Sequence, residues 1–267
     1  MMNSKIEQDI QENEAITNIL GVGVSAINMN AAVEKIGQWI AQGSRQYVCV
    51  SSVNNIMECR SDKRLRVIHN RAGMVTPDGM PLVWLSRLSG KKHVSRVYGP
   101  DLLLAVCERS LQTGWSHYFY GGSPEALSRM QARLADRYPG LNIAGAESPP
   151  FRPLTEAEDQ AAVDRINASG ADILWVGLGA PKQEYWMADH LERIKVPVMI
   201  GVGAAFDFHA GTKKQAPHWM QRSGLEWFFR LCSEPKRLWK RYLINNPLFV
   251  ALTLLQAAKM IHYPLEN

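Results

Sequence analysis

The chain has 267 residues, 46% hydrophobic and 21% charged, with four widely spaced cysteines (Cys49, Cys59, Cys107, Cys232). This is too polar for a bundle of membrane-spanning helices and too apolar for a disordered chain. No C-x-x-C pair supports a zinc ribbon or dithiol motif, and scattered cysteines fit a reducing compartment. The formal charge of +5 is uneven: residues 1–20 carry −3, 21–210 carry +2, 211–241 carry +6 and 242–267 carry none. The basic character belongs to one short stretch that calls for a local anionic partner.

Residues 1–18 read as a flexible acidic segment, without the basic and apolar stretches of a signal peptide. Ile19–Val24 reads as a strand, and Ala31–Ala41 as a helix with Val33, Ile36 and Ile40 on one face. Tyr47–Ser51 is a short β-rich run before a polar helix from Asn54. Thr76-Pro77-Asp78-Gly79 is a tight turn before an apolar helix, Pro81–Leu88. A beat of apolar strand, small-residue turn and helix follows. His117–Tyr120 leads through Gly121-Gly122-Ser123-Pro124-Glu125 into a helix, and Asn142–Ala146 is a further strand before the Pro-rich loop Ser148–Pro153. Asp172–Val176 leads through Gly177-Leu178-Gly179-Ala180-Pro181 into a helix ending at Leu191, and Val196–Val202 precedes Gly203. Such alternation predicts an α/β domain with a mostly parallel sheet over 19–211. From 212 to 267 strand signals stop and Trp, Phe, Arg and Lys dominate, which reads as a helical appendage.

In open α/β sheets ligands sit beyond the carboxyl ends of the strands. Gly121-Gly122-Ser123 is such a place: Ser123 can cap the helix and Pro124 suits its first turn, so the turn is either a phosphate cradle or a well-made strand–helix connection. Neither G-x-G-x-x-G nor a Walker loop occurs. Lys182 opens a helix against its dipole, so it faces either an anionic ligand or solvent, and Gln183 offers both donor and acceptor to hydroxyls. Asp78 is either a turn-forming carboxylate or a general base, the latter requiring partial desolvation. No Asp-x-Asp pair and no H-x-x-x-H spacing points to a metal, so cations or helix ends would neutralise a leaving phosphate. In the tail, Lys236, Arg237, Lys240 and Arg241 recur at helical spacing beside Leu238, Trp239, Tyr242 and Leu243, and the apolar Phe249–Ile261 is too short to span a bilayer. A helix lying on an anionic membrane and a helix packed on the protein both fit. No nucleic-acid-binding signature is present.

Six motifs occur in one order: T-P-D-G at Thr76–Gly79, R-V-Y-G-P-D at Arg96–Asp101, G-G-S-P-E at Gly121–Glu125, G-L-G-A-P-K-Q-E at Gly177–Glu184, G-V-G-A-A-F-D at Gly201–Asp207 and G-L-E-W at Gly224–Trp227. Together they resemble the WecG/TagA/CpsF glycosyltransferase family over about residues 19–245. The resemblance implies a single Rossmann-like domain with a membrane-associating C-terminal appendage. It also implies metal-independent, inverting transfer of a hexose or N-acetylhexosamine from a UDP-sugar to an undecaprenyl-diphosphate-linked sugar, in surface or exopolysaccharide synthesis. Asp78 falls on the family's base. Ser52-Val53-Asn54 stands for its T-x-N motif, with Ser replacing Thr, and Lys214-Gln215-Ala216-Pro217 for K-R-A-P, with Gln replacing Arg. The sugar and nucleotide are assigned to Ser52, Asn54, Arg96, Gly121, Gly122, Ser123, Lys182, Gln183 and Asp207. Phosphate or membrane contacts are assigned to Lys213, Lys214, Arg230, Lys236, Arg237, Lys240 and Arg241. No cofactor is expected beyond the donor, and no metal or nucleic acid. The implied location is cytoplasmic, on the inner face of the membrane, with a homo-oligomer left open. The donor is of the UDP-glucose or UDP-N-acetylmannosamine type, with Pro77–Trp84 leaning to glucose. An NAD-dependent UDP-sugar epimerase or dehydrogenase and a non-catalytic membrane adaptor are the competing readings.

Overall fold

A computed structural model of the protein describes residues 15–266. Residues 1–14 of the acidic N-terminal segment lie outside the described residues. In chain order the elements are β1 (Ile16–Ile19), β2 (Val22–Ser25), α1 (Met29–Gln42), β3 (Gln46–Ser51), α2 (Val53–Ser61), α3 (Lys63–Arg71), β4 (Met74–Pro77), α4 (Met80–Leu88), α5 (Gly99–Thr113), β5 (Ser116–Gly121), α6 (Pro124–Arg137), β6 (Asn142–Glu147), α7 (Glu156–Ala168), β7 (Ile173–Gly177), α8 (Lys182–His190), β8 (Val198–Gly201), α9 (Ala205–Ala210), α10 (His218–Arg222), α11 (Glu226–Ser233) and α12 (Pro235–Ala257). Two compact units draw on separated stretches of chain. The described residues 15–28, 51–98 and 216–266 make the first, and 29–50 with 99–215 the second.

The second unit is an α/β layer. Its strands run parallel in the order β3-β8-β7-β5-β6. Helices cover both faces of a parallel sheet, so its strands read as apolar runs without alternation. Phe119, Tyr120, Leu174, Trp175, Met199 and Ile200 accordingly have almost no exposed surface. The polar groups inside this core are chained. Trp175 Nε1 donates to His117 Nδ1 (2.9 Å), and the other ring nitrogen of His117 lies 2.9 Å from Ser110 Oγ, which donates to the Val106 carbonyl. Burial pushes the His117 imidazole down to about 4, so the ring sits neutral in this chain. Because β5 lies between β6 and β7, the chain passes over β5 on its way from β6 to β7. The carboxyl ends of β5 and β7 therefore form a point where the winding reverses, the place where open α/β sheets take ligands.

The first unit begins with a correction. The apolar run at Ile19–Val24 is the hinge of an antiparallel hairpin, with Ile19 opposite Val22. Leu20 and Gly21 both have positive φ (52° and 87°), the two-residue turn that suits strand twist. A leucine in that turn carries no turn signal, so the strand reads as continuous in sequence. The turn is fixed by Asn18 Oδ1 accepting from the Gly21 N–H (2.9 Å) and Gln256 Oε1 accepting from the Leu20 N–H (3.0 Å).

The apolar segment Phe249–Ile261 is likewise no separate element over most of its length. It continues α12, a single 23-residue helix running through Pro247. Leu238, Tyr242, Phe249 and Thr253 face inward. Trp239, Leu243, Ile244, Val250 and Leu254 are exposed. Asn245 Nδ2 on α12 donates to Asn54 Oδ1 on α2 (3.2 Å). Beyond the helix, Asn18 Nδ2 donates to the Tyr263 carbonyl and Asn70 Nδ2 to the Glu266 carbonyl, while Arg66 pairs with the Glu266 carboxylate (2.9 Å). Among the described residues no helix is long and apolar enough to cross a membrane.

Candidate active site

Asp78 occupies the turn between β4 and α4. Its N–H donates to the Ser51 carbonyl (3.0 Å), and the following Gly79 lies against the start of α2, where an added Cβ would stand in ordinary van der Waals contact, 3.7 Å from Ser52 Cα. The predicted Ser52 and Asp78 are thus brought side by side. Ser52 Oγ and N–H both donate to Asn55 Oδ1, fixing the start of α2. Asn54 is buried one residue earlier on that helix. Its Nδ2 donates to Glu58 Oε1 (2.6 Å) and its Oδ1 accepts from Asn245.

Arg96 is held next to Asp78 by the backbone: the Val97 N–H donates to the Pro77 carbonyl (3.1 Å), and Thr76 Oγ1 donates to the Val97 carbonyl (3.2 Å). All three nitrogens of its guanidinium are engaged. Nε donates to the Asp78 carbonyl (2.5 Å), Nη1 to Gln221 Oε1 (3.1 Å), and Nη2 to both Asp78 Oδ1 (3.3 Å) and Glu226 Oε2, while the plane lies 4.0 Å from the Tyr98 ring centroid. The Arg96 guanidinium, assigned to substrate in the sequence reading, is paired here with the carboxylates of Asp78 and Glu226. Glu226 and Gln221 are the residues that motif reading left without a role. Glu226 lies inside the G-L-E-W motif, which was the available signal. The glycine there has a reason: Gly224 has φ +73°, and a Cβ on it would lie 2.7 Å from the Trp84 ring of α4.

The Asp78 side chain keeps 20% exposure, Arg96 16% and Glu226 17%. Burial raises the Asp78 carboxyl to about 7, with Glu226 pushing the same way and Arg96 and Arg230 opposing. The Tyr98 phenol is pushed upward, first by burial and then by the two carboxylates. A carboxylate that is still open on one side and titrates near neutrality is chemically suited to take a proton from a hydroxyl.

In the second unit the predicted nucleotide turn is built as a backbone contact. Gly121 pairs in register with Gly177. Gly121 has φ +129°, and a Cβ on it would lie 2.5 Å from the Gly177 carbonyl; one on Gly177 would lie 2.6 Å from the Phe206 ring. The Gly122 N–H is spent on the Gly177 carbonyl (3.1 Å), and Ser123 Oγ accepts from the Ala126 N–H (3.1 Å), so the cap predicted for α6 is formed. Gln183 is buried: its Oε1 accepts from the Gly203 N–H (2.9 Å) and its Nε2 donates to Glu184 Oε1. It ties the start of α8 to the turn after β8. Lys182 beside it is exposed. Asp207 pairs with Lys213 (2.7 Å), and Lys214 is exposed. Of the appendage cations, Lys236, Arg237 and Lys240 are exposed, Arg237 pairing with Glu234; Arg230 and Arg241 are half-buried. Among the described residues no group of three or more His, Cys, Asp or Glu is placed to hold a metal ion.

The family model for the WecG/TagA/CpsF glycosyl transferases matches residues 17–262. The chain belongs to this family. It is therefore a glycosyltransferase, and its α/β fold with a parallel sheet is the one its motif order implies. Among its curated relatives, the N-acetylglucosaminyldiphosphoundecaprenol N-acetyl-beta-D-mannosaminyltransferase of Bacillus spizizenii is 29% identical over 217 residues, which cover 81% of each chain.

Proposed function

We propose that this glycosyltransferase moves N-acetylmannosamine from its UDP-sugar onto N-acetylglucosamine carried by undecaprenyl diphosphate, inverting the anomeric centre without a metal. The observation that supports this most directly is Asp78, a partly open carboxylate raised to about 7, in a family with a relative acting on that lipid-linked sugar. In this reading Asp78 takes the proton of the acceptor hydroxyl as its oxygen bonds to the anomeric carbon. The bond from that carbon to the UDP oxygen breaks on the opposite face, and UDP leaves with the electron pair. A base at that position contributes about 10²–10⁴-fold. Side-chain cations, rather than a metal, offset the diphosphate charge as UDP leaves in this reading.

The acceptor is membrane-borne in this reading, so the exposed stripe of α12, with Trp239 and Leu243 beside Lys236 and Lys240, rests on the anionic inner face of the membrane. The test is a screen of UDP-N-acetylmannosamine, its uronic acid and UDP-glucose against a synthetic polyprenyl-diphosphate N-acetylglucosamine, with UDP release as readout. NMR of the product gives the anomeric configuration, and an EDTA arm gives the metal dependence. Turnover with UDP-glucose alone, retention of configuration, or loss of turnover in EDTA would each overturn the corresponding part of the reading.

A further inference from the structure

Asp78 and Glu226 share one guanidinium, and they share it unequally. Arg96 Nη2 lies closer to Glu226 Oε2 than to Asp78 Oδ1, which it meets at 3.3 Å. Arg96 cannot swing away from Glu226 without giving up other contacts. Nε is fixed on the Asp78 carbonyl, Nη1 on Gln221, and the plane on Tyr98. Glu226 in turn has little freedom, because α11 begins right after Gly224, which is packed on Trp84.

We propose that Glu226 is the positioning residue of the base: by competing for Arg96 Nη2 it keeps the Asp78 carboxylate from being fully neutralised, so that Asp78 is armed only while α11 is seated. This rests on the reading of Asp78 as the base. The charged and titratable groups facing Asp78 are Arg96 and Tyr98 on the segment after α4, and Glu226 and Arg230 one turn apart on α11. Gln221 on α10 and Ser52 before α2 are neutral. With Glu226 gone, Arg96 and Arg230 would be two cations against one carboxylate. Burial would still hold the Asp78 carboxyl up, but the two cations would draw it lower and make it a weaker proton acceptor near pH 7. The second carboxylate thus keeps Arg96 from quenching the first.

The substrate-free, full-length protein suffices for the first measurement. The Asp78 carboxyl carbon is followed by ¹³C NMR across pH 4–9, the resonance being assigned by its absence in Asp78→Asn. We expect a midpoint near 7 in the wild type and a midpoint lower by about one pH unit in Glu226→Gln. Gln at 226 still accepts from Arg96, so α11 keeps its seat. Gln221→Ala removes a neutral Arg96 partner and is expected to leave the midpoint in place. An unchanged midpoint in Glu226→Gln, or an equal drop in Gln221→Ala, overturns the proposal.

The second measurement is the acid limb of kcat/KM for UDP release from UDP-N-acetylmannosamine with the lipid-linked acceptor. In Glu226→Gln the limb should move down with the NMR midpoint. The plateau should fall roughly threefold, as a weaker base requires, while the donor KM changes less than about twofold. A fixed acid limb sinks the role of Glu226. Undiminished turnover in Asp78→Asn sinks the base reading itself, and the NMR titration still decides the coupling.

Discussion

Replacing Asp78 by Asn is expected to stabilise the protein, increasingly so as pH rises from about 4 to about 7. An Asp whose carboxyl is raised from 3.8 to about 7 holds its proton more firmly folded than unfolded. Its contribution to stability is fully present below 3.8 and is lost as pH rises through 7. The ceiling of that loss is about 4 kcal/mol, at 1.36 kcal/mol per pH unit. Part is returned in the variant, because Arg96 keeps a single anionic partner, Glu226, and a buried cation is costly to leave under-paired. A net gain of about 2 kcal/mol at pH 8 is a rise of roughly 4–8 °C in Tm for a chain of this size. Thermal melts of wild type and Asp78→Asn at pH 5, 6.5 and 8 measure this. The difference should grow with pH, while turnover drops by about 10²–10⁴-fold. A difference that is flat or shrinks between pH 5 and 8 would refute the claim that desolvation raises the Asp78 carboxyl.

Other expectations follow from single contacts. Gly121→Ala would drive a Cβ to 2.5 Å from the Gly177 carbonyl, at a φ of +129° that alanine avoids; it should cost more than about 3 kcal/mol, read as a lowered urea midpoint. Trp175→Phe removes the donor to His117 Nδ1 in a site without solvent; a loss of about 2–4 kcal/mol is expected in the same titration. Ser123→Ala unmakes the α6 cap and should cost only about 1 kcal/mol. The double change Trp239→Ala and Leu243→Ala removes exposed side chains and should leave Tm nearly unchanged. Under the proposed membrane reading it should weaken co-sedimentation with phosphatidylglycerol vesicles about tenfold or more, and no weakening would argue against that face of α12 as the lipid contact.

Much of this architecture was legible in the sequence because local rules and tertiary fate agree. The strand–glycine–helix beat at Gly121 and Gly177 reads the same in one dimension as in three, since the parallel pairing of β5 and β7 brings the two glycines opposite one another. The cap at Ser123 and the turn at Asp78 are equally local. What escaped the sequence is long-range. The Leu20–Gly21 turn is fixed not only by the neighbouring Asn18 but by Gln256, more than two hundred residues away. Gln183 offers two hydrogen-bonding groups on paper, but whether they face a ligand or the Gly203 N–H depends on where β8 ends. Glu226 had its motif in view, yet only the fold reveals that it competes with Asp78 for Arg96. The boundary at 211/212 was read from a change of texture along the chain. The contact units interleave, a property to which no scan along the chain has access.

That interleaving has a consequence in time. The ribosome delivers residues 29–50 and 99–215 in full before it delivers any of 216–266, so the second unit has all its strands while the first still lacks α10, α11 and α12. Domains close as their pieces emerge. During that interval neither Gln221 nor Glu226 has been delivered to Arg96. Under the proposed coupling of Glu226 to Asp78, the base is thus among the last features of the molecule to be switched on, once α11 has been made.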